Sequence, residues 1–394
     1  MPRKCTDNWI ADYCRYTTFQ ESPLQLHTWT AISTIAGALN RRIYIRRGSY
    51  KLFPNLYIAL VAPSGVIHKT TAANIGMDML DEVDITEMMR GKLTSYHLLH
   101  WFQASTQGVG ECCCTIYAPE MRNLILDHNR SEVVTLLTDY FDCPNNPQYR
   151  TKEGGKMQFK NIYINLLGCS TPEWLTLGTT IDEVAGGFTG RFVYVYADTT
   201  DRSIPFPEDL YTRQVADMRT DLVHDLAEIA QLTGQVILTN QAKAEYIVWY
   251  NARKSEWKDE RLMGYYSRKG DLLLKLAMVI SASSSDSLVI DTIELNIAKA
   301  LLKAIEQPMA KAFAGIVEDP ALRYKDTVLS YIARSVDLKR SRDELLKWGW
   351  RKFDGQVLDR IMTNLIEAKV VQQSAEVVGA ERKIMYRIID KTFI

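Results

Sequence analysis

The stretch VAPSGVIHKTTAANIG, residues 61–76, decides how the chain is expected to fold. The segment that leads into it, 55–61, is predominantly apolar, which predicts a strand buried on both faces. From residue 68 onward, apolar side chains recur at helical spacing. The stretch is therefore predicted to be a loop that joins a buried strand to a helix.

Three further buried strands are predicted at CCCTIYA (112–118), NIYINLLGCS (161–170) and RFVYVYA (191–197). The first two follow helical or loop material long enough for a crossover between parallel strands, and the third follows the glycine-rich AGGFTG (185–190). Strands that alternate with helices in this way predict an α/β fold, with a parallel sheet covered by helices on both faces.

The loop approaches the phosphate-binding pattern G-x-x-x-x-G-K-[ST], but Pro63 and His68 stand where its two glycines belong. In a working loop, Lys69 would reach the β- and γ-phosphates of ATP, and Thr70 would ligate Mg²⁺. The alternative is an ordinary strand-to-helix loop with a solvated lysine. The candidate nucleotide-binding residues here are Ser64, Gly65, His68, Lys69, Thr70 and Thr71.

Composition sets broad limits on the protein. The 394 residues predict two or three domains, and Lys+Arg and Asp+Glu both total 47, so any nucleic-acid surface must be a local patch. The sequence shows neither a signal peptide nor an apolar run of about 20 residues, which predicts an intracellular protein without a membrane span. The three consecutive cysteines, 112–114, are expected to be reduced strand residues and lack the spacing of zinc ligands.

Four regions are predicted along the chain. N-terminal helices and a hairpin occupy 1–52, and the strand-rich core occupies 53–205. A bundle of long helices, expected to form a lid, fills 206–318. Three short helices and two alternating runs around Gly379 predict a winged helix-turn-helix at 319–394.

Polar residues follow two of the other buried strands. Glu120 comes directly after 112–118, where it could deprotonate or orient an attacking water, although a helix-capping role is the alternative. Ser170 and Thr171 end the strand at 161–170 and could sense a γ-phosphate or cap the next helix.

Three basic residues could also act on a nucleotide. Arg191 starts a strand and could stabilise charge on a neighbouring subunit's phosphoryl group, or form a surface ion pair. Arg268 and Lys275 lie seven residues apart, on one helix face, and could reach a nucleotide or extend toward solvent.

The chain resembles a P-loop ATPase/helicase family carried by phages, plasmids and integrated elements, which is distantly similar to AAA+ helicases of the MCM kind. The matching segments occur in order along about the first three-quarters of the chain: ESPLQLHTW (21–29), FPNLYIALVAPSGVIHKTTA (53–72), KLTSYHLL (92–99), YAPEM (117–121), LLTDYFDCP (136–144), YRTK (149–152), NLLGCSTPEWL (165–175), GGFTGRFVYVY (186–196) and RKGDLLLKLAMVIS (268–281).

The resemblance implies roles for individual residues. A bulky residue before the lysine is common in this family, so His68 is compatible with function. Glu120 is implied as the acid that activates water, while the acidic residue expected before it is replaced by Pro119. Arg191 is implied as the interfacial arginine, and Lys275 departs from the pair of arginines expected at 268 and 275.

Basic segments are candidates for DNA contacts. The predicted winged helix contributes Lys339, Arg340, Arg342 and Arg351, and a glycine-bearing segment at 149–160 contributes Lys152 and Lys156 as a possible pore loop. The segment NRRIYIRRGSYK (40–51) is a further basic candidate. The alternatives are a winged helix that packs against protein and a plain solvated hairpin.

Together these features lead us to expect an ATP-dependent DNA helicase or replication initiator of a mobile genetic element, acting as a ring, in the simplest case a hexamer, in the cytoplasm of a bacterial or archaeal host. A nucleotide-dependent adaptor or helicase loader is the second hypothesis. A scaffold that recruits a primase or polymerase is the third.

Overall fold

The computed structural model describes residues 2–65, 67–91, 93–125, 130–151, 155–178, 187–253, 262–312, 320–335, 337–378 and 381–390. The chain forms two compact units, Met1–Gly315 and Ile316–Ile394. The segments expected as an N-terminal region, a core and a helical bundle all belong to the first unit.

The helices of the described residues are α1 (Trp9–Tyr16), α2 (Leu24–Leu39), α3 (Lys69–Val83), α4 (Ser95–Gly108), α5 (Met121–Ile125), α6 (Arg130–Tyr140), α7 (Pro172–Gly178), α8 (Pro207–Leu210), α9 (Arg213–Ile229), α10 (Asn240–Ala252), α11 (Met263–Ser284), α12 (Thr292–Ala312), α13 (Pro320–Ala333), α14 (Arg342–Gly349) and α15 (Gly355–Glu367). The strands are β1 (Ile43–Arg47), β2 (Tyr50–Leu52), β3 (Tyr57–Val61), β4 (Glu87–Arg90), β5 (Cys112–Ala118), β6 (Gln148–Thr151), β7 (Gly155–Gln158), β8 (Ile162–Ser170), β9 (Phe192–Tyr196), β10 (Gly234–Gln235), β11 (Ile237–Leu238), β12 (Val289–Ile290), β13 (Lys339–Ser341), β14 (Val371–Val378) and β15 (Glu381–Ile388).

A five-stranded sheet forms the centre of the first unit, in the order β4-β5-β8-β3-β9. All four neighbouring pairs are parallel, and Tyr57 of β3 pairs with Leu166 on one side and Phe192 on the other. The predicted α/β class with a parallel sheet is therefore confirmed. The edge strand β4 was not predicted, because it is short and half of its residues are exposed.

Helices cover both faces of this sheet. On one face, Asn165 of β8 donates to the Ser33 carbonyl of α2 at 3.0 Å, and the Tyr163 hydroxyl donates to the Ala36 carbonyl of α2 at 2.6 Å. On the other face, the Tyr57 hydroxyl donates to the Leu137 carbonyl of α6 at 3.0 Å. Every residue of β3 and β8 is buried, which explains their continuous apolar sequence.

Close packing of α2 against α3 fixes the helix that follows the loop. A Cβ added to Gly76 of α3 would lie 2.4 Å from Thr34 Oγ1 and 2.6 Å from Thr30 Cγ2 of α2. Such distances are far below van der Waals contact, so a glycine at position 76 permits this approach. The buried helix α2 thereby sets the position of α3 and of its first turn.

A short hairpin and a buried helix complete the part of the first unit that bears on function. Strands β1 and β2 pair antiparallel, as predicted, and Gly48 in the turn between them has φ +58°. Helix α11 is buried over most of its length. In the sequence triplet 112–114, Cys112 and Cys114 are buried and Cys113 is half-buried, and all three are free thiols.

The second unit contains α13, α14 and α15 with a three-stranded antiparallel sheet in the order β13-β15-β14. Its core includes Val328, Ile332, Leu345, Leu358 and Ile361. Helix α14 begins with a reciprocal capping box between Ser341 and Glu344, which satisfies two N–H groups of its first turn. Across both units, none of the described helices combines the length and apolarity that crossing a bilayer requires.

Candidate functional site

The loop quoted above borders a cleft of about 440 Å³ at the carboxyl edge of the parallel sheet. Residues from three separate segments line it: Ser64, Gly65, His68, Lys69, Thr70, Thr71, Pro119, Glu120, Met121, Arg122, Cys169, Ser170, Thr171 and Trp174. The structure thus brings together all six candidate residues of the loop with Glu120 and Ser170. They meet because each segment follows a strand of the same parallel sheet, whose carboxyl ends share one edge.

His68 takes over the backbone conformation expected of the missing glycine. It has φ 49° and ψ 37°, in the left-handed region, and directly precedes helix α3. Histidine is one of the few residues with a Cβ that is enriched in this region. Gly65, with φ +82°, supplies the second left-handed position of the loop.

Residues far away in sequence hold His68 in place. The buried Ser22 hydroxyl donates to the His68 carbonyl at 3.0 Å, and a Glu21 carboxylate oxygen lies 3.4 Å from His68 Nε2. At the start of the loop, the Ala62 N–H donates to the Ser170 carbonyl at 3.2 Å. Ser22 is a positioning residue that was not predicted, although it lies in the matching segment at 21–29.

The first turn of α3 borders the cleft, and no side chain of the described residues caps its N–H groups. The His68 side chain does not cap the helix. Lys69, Thr70 and Thr71 of the first helical turn all line the cleft. Uncapped N–H groups together with the positive end of the helix dipole favour an anion at this point. The lysine ammonium adds a full positive charge beside them.

Cys169 forms the floor of the cleft beneath this turn. Burial raises the pKa of the Cys169 thiol to about 12, opposed by the nearby charge of Lys69 and a hydrogen bond with the Thr70 side chain. The thiol is therefore neutral at physiological pH. It keeps Thr70 within the lining without adding negative charge.

The acid and the polar residues lie across the cleft from the loop. Glu120 is exposed, and its Oε2 accepts a hydrogen bond from Asn123 Nδ2 at 3.3 Å. Ser170 is 5% exposed, and its hydroxyl donates to the Thr171 carbonyl at 3.3 Å. Thr171 Oγ1 accepts from the Trp174 N–H at 3.3 Å and so caps α7. Capping was one of the two roles predicted for Ser170 and Thr171.

Arg122 and Trp174 are among the lining residues that were not predicted. Arg122 is exposed on α5, two positions after Glu120, and adds a second mobile cation to the cleft. Trp174 is half-buried on α7, and its indole Nε1 has no hydrogen-bond partner among the described residues. An aromatic ring beside a phosphate-binding turn can stack on a base, but no pattern at the sequence level marks either residue.

Arg191, Arg268 and Lys275 do not line this cleft. Arg191 precedes β9 and so lies at the amino edge of the sheet, where its Nη1 donates to the Gly187 carbonyl at 2.6 Å. It is 9% exposed, and burial together with the nearby Arg268 lowers its pKa. Within one chain, these cations are separated from Lys69 by the length of the sheet.

Lys275 and Arg268 contact the protein itself. The fully buried Lys275 ammonium donates to the Asn55 carbonyl at 3.1 Å and lies 4.3 Å from the Phe141 ring centroid, and burial lowers its pKa. Arg268 pairs with Asp142 at 3.7 Å. Because Asn55 precedes β3, these contacts also lie at the amino edge of the sheet.

The candidate DNA-binding residues differ in their surroundings. Lys152 lies outside the described residues, and Lys156 is exposed on β7. In the second unit, Lys339 pairs with Glu376, Arg340 with Glu344 at 3.7 Å and Arg342 with Asp359 at 2.8 Å. Arg351 is exposed, with its guanidinium 4.8 Å from the Trp350 ring centroid.

No protein-family model matches the chain, and no curated protein matches it either.

Proposed function

We propose that the cleft binds Mg²⁺·ATP and hydrolyses it, as a phosphate-binding loop of modified sequence. One observation carries this proposal. Eight residues predicted from sequence, in three separate segments, line a single cleft at an uncapped helix N-terminus. The sheet topology brings these segments to one edge, and the lysine, acid and buried serine found there beside a helix N-terminus are the groups that phosphoryl transfer uses.

Each residue has a chemical task in this proposal. Lys69 and the N–H groups of the first turn of α3 bind the phosphates and neutralise charge that develops in the transition state. Glu120 accepts a proton from the attacking water or orients it. The Thr70 hydroxyl would hold the metal ion, which supplies further charge neutralisation when it is bound.

The second part of the proposal is that ATP hydrolysis drives movement along DNA. The protein would then be a helicase or replication initiator of a mobile genetic element that acts as a ring. The order of the matching segments supports it. The three helices and antiparallel strands of the second unit also support a winged helix. Because Arg191 lies at the sheet edge opposite its own cleft, it can act only on a neighbouring subunit, and only if its contact with Gly187 opens.

A pair of variants of the full chain tests the proposed ATPase. We expect Lys69→Ala to abolish ATP hydrolysis and Lys303→Ala, which changes an exposed lysine of α12 outside the cleft, to leave it unchanged. Equal hydrolysis by both variants would exclude the cleft as the site. Strand displacement by the wild-type chain on a forked DNA then tests the helicase.

A nucleotide-dependent adaptor or loader without unwinding activity is the second candidate function. Among the described lining residues, Glu120 supplies the one carboxylate, and Pro119 occupies the position at which the resemblance implies an acid. A site with fewer groups for the metal ion favours slow hydrolysis and a long-lived ATP-bound state. ATP-dependent oligomerisation without strand displacement would support this candidate over the helicase.

A further inference from the structure

A second cleft, of about 690 Å³, opens at the amino edge of the sheet, beside the β1–β2 hairpin. Glu111 and Asn161, which line it, directly precede β5 and β8, whereas the residues of the ATP cleft follow those strands. The two clefts therefore lie at opposite edges of the same sheet. The proposed ATPase leaves this second cleft without a role.

The hairpin wall of this cleft holds two positive charges side by side. Arg46 of β1 and Lys51 of β2 are paired residues in the antiparallel register, and both are exposed. Like charges directly opposite each other destabilise a strand pair. In the part of the chain that the structure describes, neither side chain pairs with a carboxylate that would offset this repulsion.

Aromatic side chains lie among these cations. Tyr50 is 51% exposed at the rim, and the Tyr44 and Phe53 rings lie 6.2 Å apart inside the cleft. The Lys51 ammonium lies 3.8 Å from the Tyr44 centroid. The Arg41 guanidinium lies 4.2 Å from the Phe53 centroid. The two neighbouring rings thus lie between two cations, Arg41 on Phe53 and Lys51 on Tyr44.

The inner end of the cleft is rigid. Arg41 donates to the carbonyls of Cys143 and Ile162 at 2.7 Å each, which fixes its side chain against Phe53. The outer end carries Arg46, Lys51 and Tyr50, which are all exposed to solvent. A cation held in place at the inner end and exposed cations at the outer end suit an extended polyanion.

We propose that this cleft binds single-stranded nucleic acid, with Arg46 and Lys51 on successive phosphates and the exposed ring of Tyr50 stacked on a base. Exposed cations beside aromatic rings are the combination that single-strand binding uses. The proposal goes beyond the ATPase, since it requires neither ATP nor an intact phosphate-binding loop.

Two carboxylates on the far wall limit where the strand runs. Asp142 is paired with Arg268 at 3.7 Å, and Glu111 is exposed. Both repel phosphates, so the backbone of the bound strand follows the hairpin wall. Replacement of one of them, by Glu111→Gln, is expected to tighten binding.

The test measures fluorescence anisotropy of a labelled oligo(dT) of about 15 nucleotides with the full chain, without ATP, over a range of salt concentrations. Each phosphate contact contributes about 0.7 to the slope of log K against log salt on single strands. Arg46→Ala combined with Lys51→Ala should therefore lower the slope by about 1.4, which corresponds to about 25-fold weaker binding at about 0.1 M salt. Tyr50→Ala should weaken binding about fivefold or more.

Controls separate this proposal from the ATPase and from general charge effects. Arg213→Ala combined with Lys303→Ala removes one exposed arginine and one exposed lysine outside the cleft, and should leave affinity and slope near the wild-type values. The hairpin variant should still bind ATP, and Lys69→Ala should still bind the oligonucleotide. An unchanged slope in a folded hairpin variant, or equal loss in the control pair, would overturn the proposal.

Discussion

The backbone conformation of His68 leads to a sharp prediction about the loop. At φ 49° and ψ 37°, a residue with a Cβ has a backbone conformational energy about 1–2 kcal/mol above that of the right-handed region. For histidine this energy lies near the lower end of the range. His68→Val replaces it with a β-branched residue that avoids this region, and His68→Gly removes the cost. If the left-handed conformation is what directs the N–H groups toward phosphate, these two substitutions should act in opposite directions.

The magnitude follows from the same geometry. A further cost of about 1.4 kcal/mol for valine corresponds to about tenfold weaker binding of Mg²⁺·ATP, and relief of about 1 kcal/mol by glycine corresponds to binding up to about fivefold tighter. Calorimetric titration with a non-hydrolysable ATP analogue measures both, and thermal unfolding verifies that each variant folds.

Glu21→Gln is the control for the side chain of His68. The Glu21 contact, 3.4 Å from His68 Nε2, joins a half-exposed imidazole to a partly exposed carboxylate, and is worth at most about 1 kcal/mol. We therefore expect Glu21→Gln to change ATP affinity less than His68→Val does. Tenfold weaker binding by His68→Gly with no effect of His68→Val would contradict this prediction, because His68 would then act through its imidazole.

Three further predictions concern the acid, the helix contact and pH. Glu120→Gln should lower the rate of ATP hydrolysis by about 10²–10⁴ with ATP affinity retained, and a single-turnover assay that finds an unchanged rate would contradict its role. Gly76→Ala should be less stable than Gly108→Ala, in a helical site with open space around it, by about 2 kcal/mol in denaturant unfolding; equal stabilities would contradict the close contact with α2. Burial, with a smaller effect of Arg202, lowers the pKa of His27 from 6.5 to about 4, so its neutral form stabilises the fold above pH 6.5. About 3 kcal/mol of this stability should be lost between pH 6.5 and 4, and a pH series with His27→Leu that shows the same loss would contradict the assignment.

The central strands could be predicted from sequence because they are buried on both faces. The segment at 112–118 forms β5 with the same ends as predicted, since its apolar run is bounded by Glu111 and Pro119. The edge strand β4 gave no such signal, because only Met89 among its four residues is buried. Continuous burial is visible in a sequence, whereas pairing at an exposed sheet edge depends on a partner that the local sequence does not reveal.

The candidate site could be predicted where strand direction decides the position. Glu120 and Ser170 follow their strands, so a parallel sheet brings them to the loop. The same rule places Arg191, which precedes β9, at the opposite edge. Ser22 could not be predicted from spacing, because its contact with His68 joins positions 46 residues apart through the path of α2.

A crystal structure of the chain with Mg²⁺ and a non-hydrolysable ATP analogue tests the central claim most directly. The account predicts phosphate oxygens within hydrogen-bond distance of the Lys69 ammonium and of the N–H groups that begin α3, with Glu120 facing the γ-phosphate. An analogue bound elsewhere, for example against Arg46 and Lys51 at the other edge of the sheet, would contradict it.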